Sequence, residues 1–290
     1  MKVSFICTVL NEAKSIKSFL DSIEAQTKKP DEVIIVDAGS TDGTVSAVKK
    51  CKQVQLVIVK DINRSKARNL AIKTAKHQII AVSDAGCTLD PHWLELITSP
   101  FKNKSVEAVA GFYQTKSDTT FQSCLAPFVS VMPDKLDQKT FLPSSRSLAF
   151  KKSAFTKVGG YPEHLNFCED LVFAKNLKDK TSLVVKPNAI VYWQMVRNLK
   201  NYFNQIKNYA SGDIQAKYIP HLKKHLLVYL KLLIFISFPF LFFFYPLWPI
   251  LKHYHYIKHP LALIYLPIIQ LTTDLGIIMG SLYGLLKKRR

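Results

Sequence analysis

The chain has 290 residues, enough for one large domain or for a domain with an appendage. Its mean hydropathy is +0.06 although 21% of its residues are charged, so the apolar residues must be concentrated, and the last third holds them in 226–244 and 261–286. A net charge of +19 suits nucleic acid, acidic lipid or a phosphorylated substrate, but no Lys/Arg strip interleaved with stacking aromatics precedes position 190, which argues against nucleic acid.

The first predicted strand is Val3 to Val9, ending at Leu10-Asn11-Glu12, and Ile16, Phe19, Leu20 and Ile23 then follow at helical spacing. Val33 to Val36 is a run of four β-favouring apolar residues, as in a parallel strand covered on both faces, and it ends on Asp37. Ser40, Thr41 and Asp42 can cap a helix from Thr44 to Cys51. A cap without a ligand uses the same residues, but it does not require the acid on the strand tip. A strand at Val54 to Val59 follows, then a helix from Asn63 through Ala75 with Ala67, Leu70, Ala71 and Thr74 on one side. Arg64, Arg68 and Asn69 lie at its start and along one side; Arg68 offers a forked donor to a diphosphate, and a solvated helix face is the alternative.

Ile79 to Ser83 is another buried-type strand ending on an acid, Asp84, and Pro91 opens a helix. Four strand-helix alternations predict an α/β fold with a mainly parallel, Rossmann-like sheet, with Asp37 and Asp84 on one edge, where ligands bind in such sheets. Alternation then weakens. Val106 to Phe112 and Ser147 to Phe150 read as strands, Phe121 to Met132 as an apolar amphipathic piece and Pro133 to Ser145 as a polar loop. Glu169-Asp170 opens a helix, and acids there are also what an ordinary cap contains.

The five cysteines, at 7, 51, 87, 124 and 168, form no C-x-x-C pair, and their spacing argues for reduced thiols rather than a disulfide framework or a zinc site. The N-terminal apolar run breaks at Asn11-Glu12, too early for a signal-peptide core, so the first domain is expected in the cytoplasm.

Six motifs in order, across residues 3–215, resemble glycosyltransferase family 2: Thr8-Val9-Leu10-Asn11-Glu12, Asp37-Ala38-Gly39-Ser40-Thr41-Asp42-Gly43-Thr44, Ala67-Arg68-Asn69, Ser83-Asp84-Ala85-Gly86, Gly159-Gly160-Tyr161 and Glu169-Asp170. The resemblance implies a GT-A fold, a nucleotide-sugar donor and inversion at the anomeric carbon. It implies that Glu12 and Asp37 contact the nucleoside, with Thr8 and Leu10 lining the base, and that Asp84 contacts ribose and diphosphate. Arg68 and Asn69 then belong to the donor side, Arg146 and Tyr161 to the acceptor or diphosphate, and Asp170, beside Glu169, is the general base. Inverting transfer needs one carboxylate to take the acceptor's proton, which suits Asp170.

The sequence departs from the family's D-x-D motif at its third position, Gly86, so Asp84 is left to hold Mg²⁺ or Mn²⁺ with diphosphate and water oxygens. Weak metal dependence, with Arg64, Arg68 or Arg146 supplying charge, is the alternative. Gln194-Met195-Val196-Arg197 matches half of the Q-x-x-R-W signature of processive synthases, but Asn198 stands at the Trp position and processivity is not inferred.

The expected organisation is a GT-A catalytic domain over 1–197, an amphipathic interfacial helix and linker over 198–224, and a two-helix transmembrane hairpin over 225–290. Basic flanks place both ends of the hairpin in the cytoplasm. Packing of the amphipathic helix on the catalytic domain, and a buried helical pair in place of the hairpin, are the alternatives. Asp274 in the second run is expected to pair with Lys231 or to face the catalytic domain. The function expected is transfer of a sugar to a lipid-linked or cell-envelope glycan acceptor at the cytoplasmic membrane face, with membrane lipids as partners. A dinucleotide oxidoreductase is excluded because no G-x-G-x-x-G follows the first strand; a catalytically silent nucleotide-binding scaffold remains the alternative.

Overall fold

The structure is a computed structural model that describes residues 1–287. Its elements are β1 (Val3–Val9), α1 (Ile16–Glu24), β2 (Glu32–Asp37), α2 (Thr44–Lys49), β3 (Val54–Ile58), α3 (Arg64–Thr74), β4 (Ile79–Val82), β5 (Cys87–Leu89) and α4 (Trp93–Thr98). There follow β6 (Ala108–Lys116), α5 (Thr120–Val129), β7 (Leu148–Lys151), α6 (Lys152–Val158), α7 (Glu169–Lys180) and β8 (Leu183–Gln194). The C-terminal helices are α8 (Leu199–Ala216), α9 (Ile219–Ser237), α10 (Leu247–Ile257) and α11 (Ala262–Leu286).

The chain divides into two compact units. The first holds Met1–Gln114 and Asp137–Gln194, and the second Thr115–Leu136 and the residues from Met195 onward. Residues 115–136, expected within the first domain, therefore group with the C-terminal helices.

One sheet orders its strands β3-β2-β1-β4-β7-β6-β8-β5. β3, β2, β1 and β4 are parallel, with Val9 opposite Asp37, whereas β4–β7, β6–β7 and β5–β8 are antiparallel. The sheet is thus mixed rather than mainly parallel. The reason is local: strand-helix alternation stops after β4, and β7 pairs antiparallel beside it, with Val82 opposite Leu148. β5 was not expected from the sequence because three residues carry no period, and α4 begins at Trp93 rather than at Pro91.

The parallel strands are buried on both faces, as their unbroken apolar runs require. Val33 and Ile35 join one core cluster, with Phe5, Phe19 and Trp93; Ile34 and Val36 join the other, with Ala67, Ala71, Phe150 and Phe173. Gly111 in β6 permits a close approach. A Cβ there would collide with Ser147 Oγ and sit 2.7 Å from Ala189 O, where Ser147 receives Trp93 Nε1–H at 2.8 Å and donates to Ala189 O at 3.0 Å.

In the second unit the apolar run 226–248 does not form one helix. α9 ends at Ser237, a 3₁₀ turn covers Pro239–Phe244, and α10 starts after Pro246. At the first break Pro239 pushes the residue before it out of the helical region, as Phe238 shows at φ −134°, ψ 76°; at the second, Tyr245 stays helical at φ −54°, ψ −41°, and Pro246 removes an N–H donor ahead of α10. Among the described residues one helix, α11, is long and apolar enough to cross a membrane, so the two-span hairpin is corrected to a single candidate. Asp274 on α11 pairs with Lys231 on α9 and accepts from Tyr245 Oη at 2.6 Å, one of its two expected fates. The basic tail at Lys288-Arg289-Arg290 lies outside the described residues.

Candidate active site

The site lies in the first unit, where the parallel strands end. Asp37 closes β2 and is fully buried. Its Oδ1 accepts from Gly39 N–H and Ser40 N–H, both at 2.9 Å, while its buried Oδ2 has no partner. Gly39 makes that turn at φ +106°, a conformation that L side chains rarely adopt. A buried carboxylate oxygen with no partner costs free energy unless a donor reaches it.

Across β1 from this turn, Glu12 N–H donates to Thr44 Oγ1 and Glu12 Oε2 accepts from Ser15 Oγ at 2.5 Å. Burial pushes the Glu12 carboxyl up, the Ser15 bond pulls it down, and the nearby Asp84 charge pushes it up again. Thr8 is half-buried and Leu10 is exposed. Asp42 accepts from Thr44 N–H and Oγ1 ahead of α2, but the N-cap itself is Gly43 at φ +91° with no side-chain cap bond, and Ser40 and Thr41 bond to Asn11 rather than capping the helix.

The centre of the site is Arg68. It is 2% exposed, donates from Nη2 to Asp84 Oδ1 at 2.7 Å and from Nη1 to Glu169 Oε1 at 2.9 Å, and lies 5.2 Å from the Tyr161 ring centroid. Arg64, one helical turn earlier and exposed, adds a 3.5 Å contact to the same Glu169 oxygen. Neither sequence reading of Arg68 describes this arrangement: its guanidinium is neither solvated nor open to a diphosphate. A buried guanidinium is stable only when its donors are matched, and here two carboxylates from elements far apart in sequence match them.

Burial pushes the Asp84 carboxyl up, but Arg68, with Arg146 and Arg64 behind it, reverses this and holds it at about 2 against an ordinary 3.8. For Glu169, burial and the adjacent Asp170 prevail over Arg68 and Arg64, and its carboxyl is raised. A depressed Asp84 contributes stability that is complete above its ordinary pKa of 3.8 and is lost as pH falls toward 2. The urea stability gap between wild type and Asp84→Asn should therefore be constant from about pH 7 to 5 and shrink between about pH 4 and 2. A gap independent of pH would mean that Asp84 is not held by charge.

Asn69 and Tyr161 support the site from beneath rather than line it. Asn69 Nδ2 donates to Tyr161 O and Glu163 Oε1, both at 2.9 Å, and its Oδ1 accepts Tyr161 N–H at 3.0 Å. The buried Tyr161 shares a 2.8 Å hydrogen bond with Ser145 Oγ and stacks on Phe173 at 4.0 Å. Both side chains are thus occupied in fixing the 159–163 turn, where Gly160 at φ +72° leaves no room for a Cβ against Phe155.

Asp170 opens α7 with Glu169 and is partly exposed. Its Oδ2 accepts Ser144 Oγ–H at 3.4 Å, and Ser144 Oγ in turn accepts Arg146 Nη1–H at 3.1 Å. The Arg146 guanidinium lies 4.1 Å from the Trp193 ring centroid and 5.0 Å from that of Tyr113. Ser144, Trp193 and Tyr113 were not singled out as site residues from the sequence. Their signal is weak, because two aromatics that bracket an arginine stand on strands 80 positions apart.

Asp84, Glu169 and Asp170 are thus brought together through Arg68, and Arg146 adds positive charge to the same place. Among the described residues no group of three or more His, Cys, Asp or Glu side chains gathers to hold a metal ion. The five cysteines are free thiols; burial pushes Cys87, beside Asp84, up to about 12, so it is an inert packing group there.

The parallel half-sheet with acids on its strand tips, extended by antiparallel strands, is the GT-A fold. The chain belongs to glycosyl transferase family 2, whose profile matches residues 4–159, more than half of its length. It is 28% identical over 191 residues to the O-antigen chain rhamnosyltransferase RfbN of Salmonella typhimurium, 61% of this chain and 61% of that protein. It is 35% identical over 96 residues, 32% of this chain and 36% of the relative, to the UDP-Glc:alpha-D-GlcNAc-diphosphoundecaprenol beta-1,3-glucosyltransferase WfaP of Escherichia coli. Among solved structures, the mannosyltransferase PcManGT from Pyrobaculum calidifontis in complex with GDP-Man and Mn²⁺ superposes with a TM-score of 0.62 at 19% identity, covering 99% of this chain and 88% of that one. That likeness is one of fold.

Proposed function

We propose that this chain moves a sugar from a nucleotide-sugar donor to a lipid-linked or cell-envelope glycan acceptor at the cytoplasmic face of the membrane, with inversion and with Asp170 as general base. The observation that carries the reading is the buried Arg68, which ties the Asp84 strand tip to the Glu169-Asp170 helix start, so that donor-side and base-side carboxylates share one site. Family membership supports the reaction class, and the lipid-diphosphate acceptor named for WfaP and the O-antigen role named for RfbN support the acceptor class.

In this reading the nucleoside meets Asp37 through its orphaned Oδ2, with Glu12, Thr8 and Leu10 around the base. The acceptor hydroxyl donates its proton to Asp170 as its oxygen attacks the anomeric carbon, and the nucleoside diphosphate departs on the opposite face. Ser144 and Leu171 N–H hold the two Asp170 oxygens and aim the carboxylate. Arg146 stabilises charge that grows on the departing diphosphate. Asp84 suits Mg²⁺ or Mn²⁺ as its one protein carboxylate, with substrate and water oxygens completing the hard-ligand set; the ion would neutralise diphosphate charge.

The binding half of the proposal is tested by thermal shift with nucleoside diphosphates, with and without Mn²⁺, on wild type and Asp37→Ala. A ligand that binds only the folded state raises the melting point. The wild type should shift with at least one nucleotide, and Asp37→Ala should lose most of that shift. An unaltered shift in the variant would remove Asp37 from the site.

A further inference from the structure

The second unit exposes more apolar surface than water tolerates, and how its helices are paired determines how a membrane can take it up. On α11, Ile264, Ile268, Leu271, Leu275, Met279 and Leu282 are all exposed at intervals of three or four, a stripe along the helix. Only 28% of its apolar window is buried. The 3₁₀ turn adds a second apolar surface, with Phe240, Phe243 and Phe244 exposed and Phe243 at 84%.

The other side of α11 rests on α8. Gly276 meets Ile206, Gly280 meets Lys207 O and Ala210, and Gly284 meets Ser211 O and Ile214, each too close for a Cβ; Tyr202 Oη and Thr273 Oγ1 add a 2.7 Å hydrogen bond. These contacts run in step, so residues 273–284 of α11 lie alongside residues 202–214 of α8. Yet α8 exposes Lys200, Asn201 and Asn204 near its start, alongside the middle of α11. If α11 stood across a bilayer, those side chains would enter hydrocarbon, where lysine and asparagine are strongly disfavoured. The part of α11 ahead of residue 273 is about 16 Å long, roughly half of a hydrocarbon core of about 30 Å. The apolar part of α9, 226–237, reaches about 18 Å, and α10 about 16 Å, so neither of these crosses.

We infer that this unit seats in one leaflet of an anionic bilayer as helices lying in the membrane plane, and that no described segment spans it. Cations at the edge of the apolar surface name the occupant. Lys207 and Lys287 flank the Tyr283 ring at 5.3 and 5.8 Å, and Lys252 lies 5.9 Å from the Trp248 ring, an aromatic and basic border suited to lipid headgroups that complements the net charge of +19. The inference rests on the membrane location proposed above, and it replaces the spanning hairpin with in-plane attachment.

In-plane attachment leaves Lys258, exposed between α10 and α11, and Lys287, exposed just past α11, both inside; a spanning hairpin puts Lys258 outside, and α11 spanning alone puts the two on opposite sides. The full chain carrying Lys258→Cys, Lys287→Cys, or Phe243→Cys at the apolar tip, is treated with a membrane-impermeant maleimide in inside-out and right-side-out vesicles, against the unmodified chain as background. Positions 258 and 287 should label in inside-out vesicles alone, and position 243 in neither until detergent is added. Labelling of 258 or 287 from the outside, protection of 258 from both sides, or labelling of 243 without detergent would overturn in-plane seating while the membrane location stands. Recovery of the chain in the soluble fraction would overturn both.

Discussion

Asp170→Asn should lower turnover by about 10²- to 10⁴-fold, the range over which a positioned proton acceptor contributes, with kcat and kcat/KM falling together. The amide keeps the size of the carboxylate, its Oδ1 can still accept Leu171 N–H, and its Nδ2 can donate to Ser144 Oγ in place of the bond received there, so neither the start of α7 nor the Arg68 network has reason to move. Binding of the nucleoside diphosphate should therefore stay within about twofold of wild type. The split between lost chemistry and retained binding is the informative feature, measured by nucleoside diphosphate release and by calorimetric titration on the same preparation. Undiminished turnover would remove Asp170 as base, and loss of nucleotide affinity together with turnover would make it a donor-binding residue.

Arg68→Met should be the most destabilising single substitution in the first unit. Removing one partner from a buried, matched set of charges leaves the others uncompensated and costs about 3–5 kcal/mol, a drop in melting temperature of roughly 10 °C for a unit of this size. Here both Asp84 and the buried Glu169 would be left without their shared donor, and Arg64, at 3.5 Å and exposed, cannot replace it. Arg68→Lys should recover only part of the loss, because an ammonium cannot present the fork that reaches both acids. Activity should fall in both variants even at temperatures where they remain folded, since the Glu169-Asp170 pair loses the anchor that sets its distance from Asp84. A thermal melt indistinguishable from wild type would show that the buried pair is worth little here.

Residue type and period made the parallel half of the sheet legible. The unbroken runs at 33–36 and 79–82 could only be strands buried on both faces, and the acids that end them fall on one edge once the strands are parallel. In the antiparallel half β6 and β7 were legible as strands, but β5, with three residues, was too short to display a period, and the direction and order of these strands depend on pairing across more than 60 positions. Asp37, Asp84 and Asp170 could be nominated because strand tips and helix starts are visible in sequence. The role of Arg68 could not, since burial of an arginine depends on two carboxylates, one 16 and the other 101 positions away. The alternating 64 and 68 positions on one helical face were the available signal. Asn69 and Tyr161 look like ligand contacts within their motifs, but the Asn69 side chain bonds the backbone of Tyr161 and the Glu163 carboxylate, and the Tyr161 hydroxyl bonds Ser145. In the C-terminal third, hydropathy found the apolar surface but took proline-broken pieces for a continuous span, because a window average does not register where the backbone turns.

The central claim is that one cleft holds a sugar diphosphate opposite a single accepting carboxylate, and its most direct test is the stereochemistry of the product. With a donor identified by the thermal-shift screen, proton NMR of the new glycosidic bond should show the anomeric configuration opposite to that of the donor sugar, and Asp170→Asn should yield almost none of it. A product that retains the donor's configuration would require a second displacement and would contradict the account.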